Sequence, residues 1–324
     1  SSDLRVLLQD LAAVTGQMIT NLPVNGFLSH DKLVAKRADM ITVRVMGLAD
    51  GGSALDYTVN SAVGFPNLTG VGDEPVNHVL AAWDLLTGAY AAFAMLAAVH
   101  HRTVTGEGKE VRIPLIDVAI GTVANLGMLG DIFVNGKGRD RLGNSVYGTF
   151  GRDFVTADGT RLMLVAITPR HWAGMVKVLG IETEIAAIEA ERGVSFSQDD
   201  GARFNHRDAL FPLVEAKIAA RRYNEISAAF DANGCCYGKY RTMVEAAHDP
   251  VLVGHNPIFG QVTNANGQAY PAAGSIASIP QLDRLAPASA PALGAHTDEI
   301  LERVLGLPSG AVAALHDKGL IGQA

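Results

Sequence analysis

The sequence predicts an α/β protein with a larger domain built on a parallel sheet and a smaller α+β domain. Up to about residue 135, helix, short apolar strand and glycine-marked loop follow one another, which is the grammar of a parallel sheet. From there to about residue 240 the texture changes to paired strands and charged helices. A length of 324 residues also suits two globular units better than one.

Residues 3 to 15 predict a helix, with Leu4, Leu7, Leu8, Leu11 and Ala12 on one face. The short strand that follows breaks at Asn21-Leu22-Pro23. A helix over Asp31 to Arg37 and a strand from Met40 to Met46, ending at Gly47, repeat the pattern. Residues 47 to 77 are rich in glycine and proline and predict an irregular segment able to line a site. A long helix then opens near Asp84, and the run from Leu85 to Val99 carries no charge. After a turn at Thr105-Gly106-Glu107-Gly108 come a strand over Val111 to Ile113 and a helix with Asp117 placed to cap it. "GTFGRDFVTADGTRLMLVAI" predicts two strands around an Ala-Asp-Gly turn. Helices follow over His171 to Leu179 and within Arg203 to Asp231. The tail predicts a strand near Gly260 to Val262, a linker over 280 to 293 and two short helices.

Hydrophobic residues make up 48% and charged residues 18% of the chain, enough for a sizeable core and too apolar for disorder. The net charge of -7 and the lack of any Lys/Arg run argue against a nucleic-acid partner. The N-terminal segment is amphipathic and acidic, unlike a signal peptide. The uncharged run is shorter than the roughly 20 residues of a membrane span, so it predicts a packed core helix rather than a membrane partner. A soluble, cytoplasmic protein is expected. The adjacent Cys235 and Cys236 predict free thiols, and no metal-ligand spacing occurs. Cys235 reads as a small buried thiol rather than a nucleophile, and His78, His100 and His101 as surface or capping residues.

Asp84 admits two readings. As an N-cap it would accept hydrogen bonds from the first helical turn. As a nucleophile, it would be a carboxylate among Trp83, Leu85 and Leu86 with little water around it, hence more reactive toward an activated acyl group. The readings are compatible, because helix N–H groups can also hold an oxyanion.

Four segments extend this. "AWDLLTGAYAAFAMLAAVHHRTVTGEGKEVRIPLIDVA" resembles the signature of the class III CoA transferases, in which an aspartate three residues before Thr-Gly opens an alanine-rich helix. "TNLPVNG", "YGTFGRDFVTADG" and "PALGAHTDEIL" are similar to three further motifs of that family, in the family's order. The likeness runs from about residue 15 to the end. It implies a Rossmann-like large domain over residues 1–135, lacking the family's first strand-helix unit through truncation, processing or a separate subunit. It further implies a small α+β domain over 136–240, and a linker and C-terminal part over 241–324 returning to the large domain. Two chains would interlock as a homodimer.

The resemblance also implies chemistry. Asp84 would attack a CoA thioester, giving a mixed anhydride and then an aspartyl-CoA thioester that passes CoA to a carboxylate. Oxyanion donors would be backbone N–H groups at the helix start or in a glycine loop. By motif position, Asn21, Met46, Gly47 and Leu48 would contact CoA, and Gly143 and Asn144 would lie at the active-site rim. The partners implied are acyl-CoA and small carboxylic acids, with the CoA thioester as substrate and no permanently bound cofactor. The likeness is strongest to the branch that moves CoA between the two carboxylates of mesaconyl-CoA; the alternative is transfer between separate acids. The related α-methylacyl-CoA racemases place a histidine before an Asp-x(7)-Gly segment. Here that segment is Asp56 to Gly64 and Leu55 precedes it, which argues against racemase chemistry. A non-catalytic CoA-binding subunit is the third reading.

Overall fold

The structure, a computed structural model, describes residues 2–322. It divides into two compact units. One comprises the chain up to residue 69, residues 75–140 and the chain from residue 260 onward; the other comprises residues 70–74 and 141–259.

The first unit opens with α1 (Ser2–Thr15), β1 (Gln17–Thr20), α2 (His30–Val34) and β2 (Ile41–Met46). It continues with α3 (Asp56–Ala62), α4 (Ala82–Thr105), β3 (Glu110–Pro114), α5 (Leu115–Asn125) and α6 (Met128–Asn135). The strands form a parallel sheet in the order β1-β2-β3, with Ile19 opposite Val43 and Val43 opposite Val111. Ile41, Thr42, Val43 and Arg44 on the central strand are all buried, the continuous burial of a parallel strand covered on both faces. Ala91 and Ala98 of α4 pack on Ile41, Val43 and Ile113. Ala12 of α1 joins Leu28, Leu33 and Met40 in another cluster.

In the second unit β4 (Phe150–Val155) and β5 (Arg161–Ala166) form the expected hairpin. Helices α7 (Pro169–Leu179), α8 (Glu182–Arg192), α9 (Asp200–Asn205), α10 (Arg207–Ala219) and α11 (Tyr223–Ala232) follow. The chain then returns through β6 (Cys236–Lys239), antiparallel to β5, to the short α12 (Met243–Ala247). Asp158 fixes the hairpin turn by accepting from Thr156 Oγ1 at 2.6 Å and from the Tyr223 amide at 3.2 Å. The core is aromatic: Phe150, Phe154, Trp172, Phe196, Phe211 and Phe230 are buried together. The tail of the chain carries the hairpin β7 (Phe259–Thr263) and β8 (Ala269–Ala273), then α13 (Thr297–Arg303) and α14 (Ser309–Asp317).

Two expectations are corrected. Asp117 does not cap α5; Pro114 holds the N-cap position and Asp117 is the third helical residue, exposed where a negative charge complements the helix dipole. Nor is α4 packed on every side as the predicted core helix would be. It spans 24 residues, long and apolar enough to cross a membrane by length and composition, yet in this chain it buries only Trp83, Thr87, Ala91 and Ala98. Leu85, Phe93 and Leu96 lie open on the other side at 61%, 71% and 70% exposure. On α6, Phe133 and Val134 are likewise exposed.

Candidate active site

A cleft of about 670 Å³ opens in the first unit at the C-terminal end of β2. It is lined by Asn21, Met46, Gly47, Leu55, Asp84 and Leu115, with segments 22–25 and 50–54. The carboxyl end of a parallel strand is where α/β sheets place ligand crevices, because the chain turns outward there and leaves backbone groups free. Four of the residues singled out by sequence therefore meet: Asp84, Asn21, Met46 and Gly47. Leu48 is not part of the lining. Gly143 and Asn144 belong to the second unit, in a cleft with Arg152, Asp153, Arg161 and Arg207. There Asn144 and Arg161 hydrogen-bond Asp153. Burial pushes the Asp153 carboxyl up, and those bonds outweigh it and hold it below the usual carboxylate range.

Gly47 is required by close approach. A Cβ there would stand 2.4 Å from the Ala54 amide nitrogen and 2.8 Å from the Gly52 carbonyl oxygen. The loop so admitted is short and self-bonded: Leu48 N–H donates to Gly52 O at 3.0 Å, and Asp50 Oδ1 accepts from Gly52 N–H at 2.8 Å.

Asp84 is the third residue of α4 and is exposed. It is not the cap, because Ala81 holds that position. Among the described residues its carboxylate has no hydrogen bond or ion pair. The desolvated surroundings expected for it are absent in this chain: Trp83 turns inward at 5% exposure, while Leu85 turns outward. The capping carboxylate is Asp56, the first residue of α3. Its Oδ2 accepts from the Trp83 amide at 2.8 Å and the Asp84 amide at 3.2 Å. The Ala82 amide donates to Leu80 O and the Leu85 amide to Ala81 O. The amides of Ala82, Trp83, Asp84 and Leu85 are thus occupied, so none of these four is available as an oxyanion donor. Among the described residues, the Ser53 and Ala54 amides in the cleft wall have no partner.

Asp56, Asn60 and His78 were not singled out as site residues. In the sequence Asp56 marks only the start of a spacing motif, and His78 reads as a surface or capping residue. A cap supplied from 28 residues upstream leaves no local signature, since capping patterns are read within one helical turn. His100 and His101 are exposed as expected. Burial pushes the Cys235 thiol up to about 11, which leaves it protonated and unreactive near neutrality.

The sequence pattern of CoA-transferase family III matches residues 25–297. The chain belongs to CoA-transferase family III. Among the family's relatives, it is 42% identical to the 2-methylfumaryl-CoA isomerase of Chloroflexus aurantiacus, over 94% of this chain and 75% of that protein. It is 25% identical to the succinyl-CoA–D-citramalate CoA-transferase of the same organism, over 91% of this chain and 72% of that protein. The fold matches a CAIB/BAIF family protein from Brucella suis with a TM-score of 0.70 and 22% identity, covering 93% of this chain and 78% of that one. The orthorhombic form of Rv3272 from Mycobacterium tuberculosis matches with a TM-score of 0.70 and 20% identity, covering 91% of this chain and 80% of that one. Membership of family III makes this chain an enzyme of the CoA-transferase kind. The match covers two of the four segments of the resemblance in full; "TNLPVNG" enters it at Asn25, and "PALGAHTDEIL" leaves it after Thr297.

Proposed function

We propose that this chain moves CoA between the two carboxylates of mesaconyl-CoA, with Asp84 as covalent nucleophile. The observation that carries this is a carboxylate with no partner of its own, standing in the cleft at the end of β2, in a chain 42% identical to a 2-methylfumaryl-CoA isomerase. An Asp84 oxygen attacks the thioester carbonyl; the C–S bond breaks and CoA leaves as thiolate, giving a mixed anhydride. The thiolate then attacks the Asp84 acyl carbon, releasing the first carboxylate and leaving aspartyl-CoA. The second carboxylate of the same acid attacks that carbon and expels the thiolate, and the thiolate attacks the new anhydride to release the isomer and free Asp84. No proton or water is consumed, so the site needs to exclude water rather than activate it.

Asn21, Met46 and Gly47 in the cleft wall would hold CoA, with Leu48 flanking them, and the Ser53 and Ala54 amides would receive the oxyanion. Gly143 and Asn144 remain proposed rim residues. The exposed stripe of Leu85, Phe93 and Leu96 supports a second copy of this chain covering α4 and excluding water from Asp84, as an interlocked homodimer would. The parallel order β1-β2-β3 supports the Rossmann-like reading of the larger unit, and the CoA thioester serves as substrate without a resident cofactor. A cytoplasmic setting fits a soluble acyl-CoA substrate. Leu55, with no imidazole at that point of the cleft wall, argues against a racemase.

The test is to incubate the protein with the C1 thioester of mesaconate, with and without added acids, and follow the CoA position by chromatography. Movement without an acceptor is expected, and Asp84→Asn should lower turnover by at least roughly 1,000-fold. Dependence on an added acid would show transfer between separate molecules instead. An Asp84→Asn variant as active as the parent would remove Asp84 from the mechanism.

A further inference from the structure

We propose that the Asp56–His78 pair positions the nucleophile by taking over the capping of α4, so that the Asp84 side chain is left free to face the cleft. The inference rests on Asp84 being the nucleophile.

A carboxylate at the third position of a helix is normally drawn back toward the amides of the first turn, the reach that closes a capping box. A nucleophile drawn back in this way would be occupied and misdirected. The start of α4 lacks a side-chain cap of its own, because its N-cap is Ala81. Asp56 removes the demand from outside the helix. Its two amide bonds, together with the Ala82–Leu80 and Leu85–Ala81 bonds, leave no unbonded amide among Ala82 to Leu85.

The cap is itself held rigidly. Asp56 is 2% exposed, and a carboxylate that buried is tolerated only when its oxygens are satisfied. Oδ2 carries the two amides, and Oδ1 lies 2.7 Å from His78 Nε2, on an imidazole 24% exposed. His78 also stacks edge-on with Tyr57. Asn60, one turn after Asp56 on α3, accepts from Trp83 Nε1 at 3.1 Å and donates to Asn77 at 3.2 Å. Phe65 meets the Trp83 ring edge-on at 5.4 Å. The backbone and side chain of the residue before Asp84 are therefore both tied to α3, and the Asp84 Cα has little freedom left. The two carboxylates divide the labour: one buried and fully bonded, one exposed and unbonded.

Asp56→Ala, Asp56→Asn and His78→Ala would be compared with the parent in the CoA-position assay, alongside Asp84→Asn. Displacing a reacting group by about 1 Å costs on the order of 100-fold in rate, so Asp56→Ala should lose roughly that much kcat with KM within about threefold. Asp56→Asn keeps an oxygen able to accept the two amides and should recover kcat to within about tenfold of the parent. His78→Ala leaves the cap but frees Oδ1, and should cost roughly tenfold in kcat alone. Circular dichroism confirms that each variant is folded. A folded Asp56→Ala with parental kcat overturns the proposal, as does a KM that rises in step with the loss of kcat in all three variants. Should Asp56→Ala not fold, a parental kcat in His78→Ala overturns it. If Asp84→Asn is inactive while Asp56→Ala is parental, this inference alone fails; if Asp84→Asn is active, the reading of the site fails first.

Discussion

Arg44 on the central strand has no exposed surface, and its Nε lies 3.1 Å from Glu110 Oε1 on the neighbouring strand β3. The other guanidinium nitrogens reach Leu22 O at 2.6 Å, Pro23 O at 3.3 Å and Leu28 O at 3.0 Å. Leu22 and Pro23 are cleft wall, so one buried cation joins the sheet to the lip of the site. Carbonyls satisfy its donors but do not neutralise its charge; Glu110 does. Glu110→Gln should therefore destabilise the chain by about 3 kcal/mol, measured by urea unfolding. KM for the CoA thioester should rise more than kcat falls.

The same carboxylate sets an acid limb of stability. Burial pushes Glu110 up, but hydrogen bonds from Arg112 and Arg44 outweigh it, so it titrates below its ordinary 4.5. Asp153 is likewise held below its ordinary 3.8. A group lowered in the folded state contributes stability that is complete above its unfolded pKa and is lost as pH falls through the folded one. The melting temperature should be flat in this respect above about pH 5 and fall below about pH 4. Glu110→Gln should flatten that limb; an unchanged pH profile would show that the carboxylate does not carry it.

Gly47→Ala tests the close approach beneath the cleft. The added methyl would overlap the Ala54 amide and the Gly52 carbonyl, neither of which is the end of a flexible side chain. The 50–54 loop must move, taking with it the amides proposed to receive the oxyanion. A fall in kcat of about 100-fold is expected, with a loss of stability of about 1–3 kcal/mol from overpacking. Parallel kinetics and thermal melts separate the two effects.

The outward face of α4 tests the covering of Asp84. Phe93→Glu and Leu96→Glu change no buried contact within this chain, since both side chains are largely exposed. In sedimentation equilibrium each should shift the protein toward a single 34.0 kDa chain, with loss of turnover. A monomeric parent would leave the exposed stripe without this explanation.

Much of the fold was legible because it is written at short range. The stretch ITVR in β2 is buried as a central parallel strand must be, and the Ala-Asp-Gly turn closes the β4–β5 hairpin where its residues allow. Asp84 stands out because a carboxylate precedes fifteen uncharged residues, and Asn21, Met46 and Gly47 are implied by their motif positions in the family resemblance. The capping of α4 was not legible. Asp56 and His78 act across 28 and 22 residues of chain, and only the packing of α3 against α4 brings them together. The exposure of Leu85, Phe93 and Leu96 was equally hidden, because composition reports that a helix is apolar and not which side the sheet covers. Sequence by itself determined the elements, the parallel grammar of the larger unit and the identity of the candidate nucleophile. Tertiary structure decided which carboxylate caps the helix and which stays free, because a hydrogen bond depends on distance in space and not along the chain.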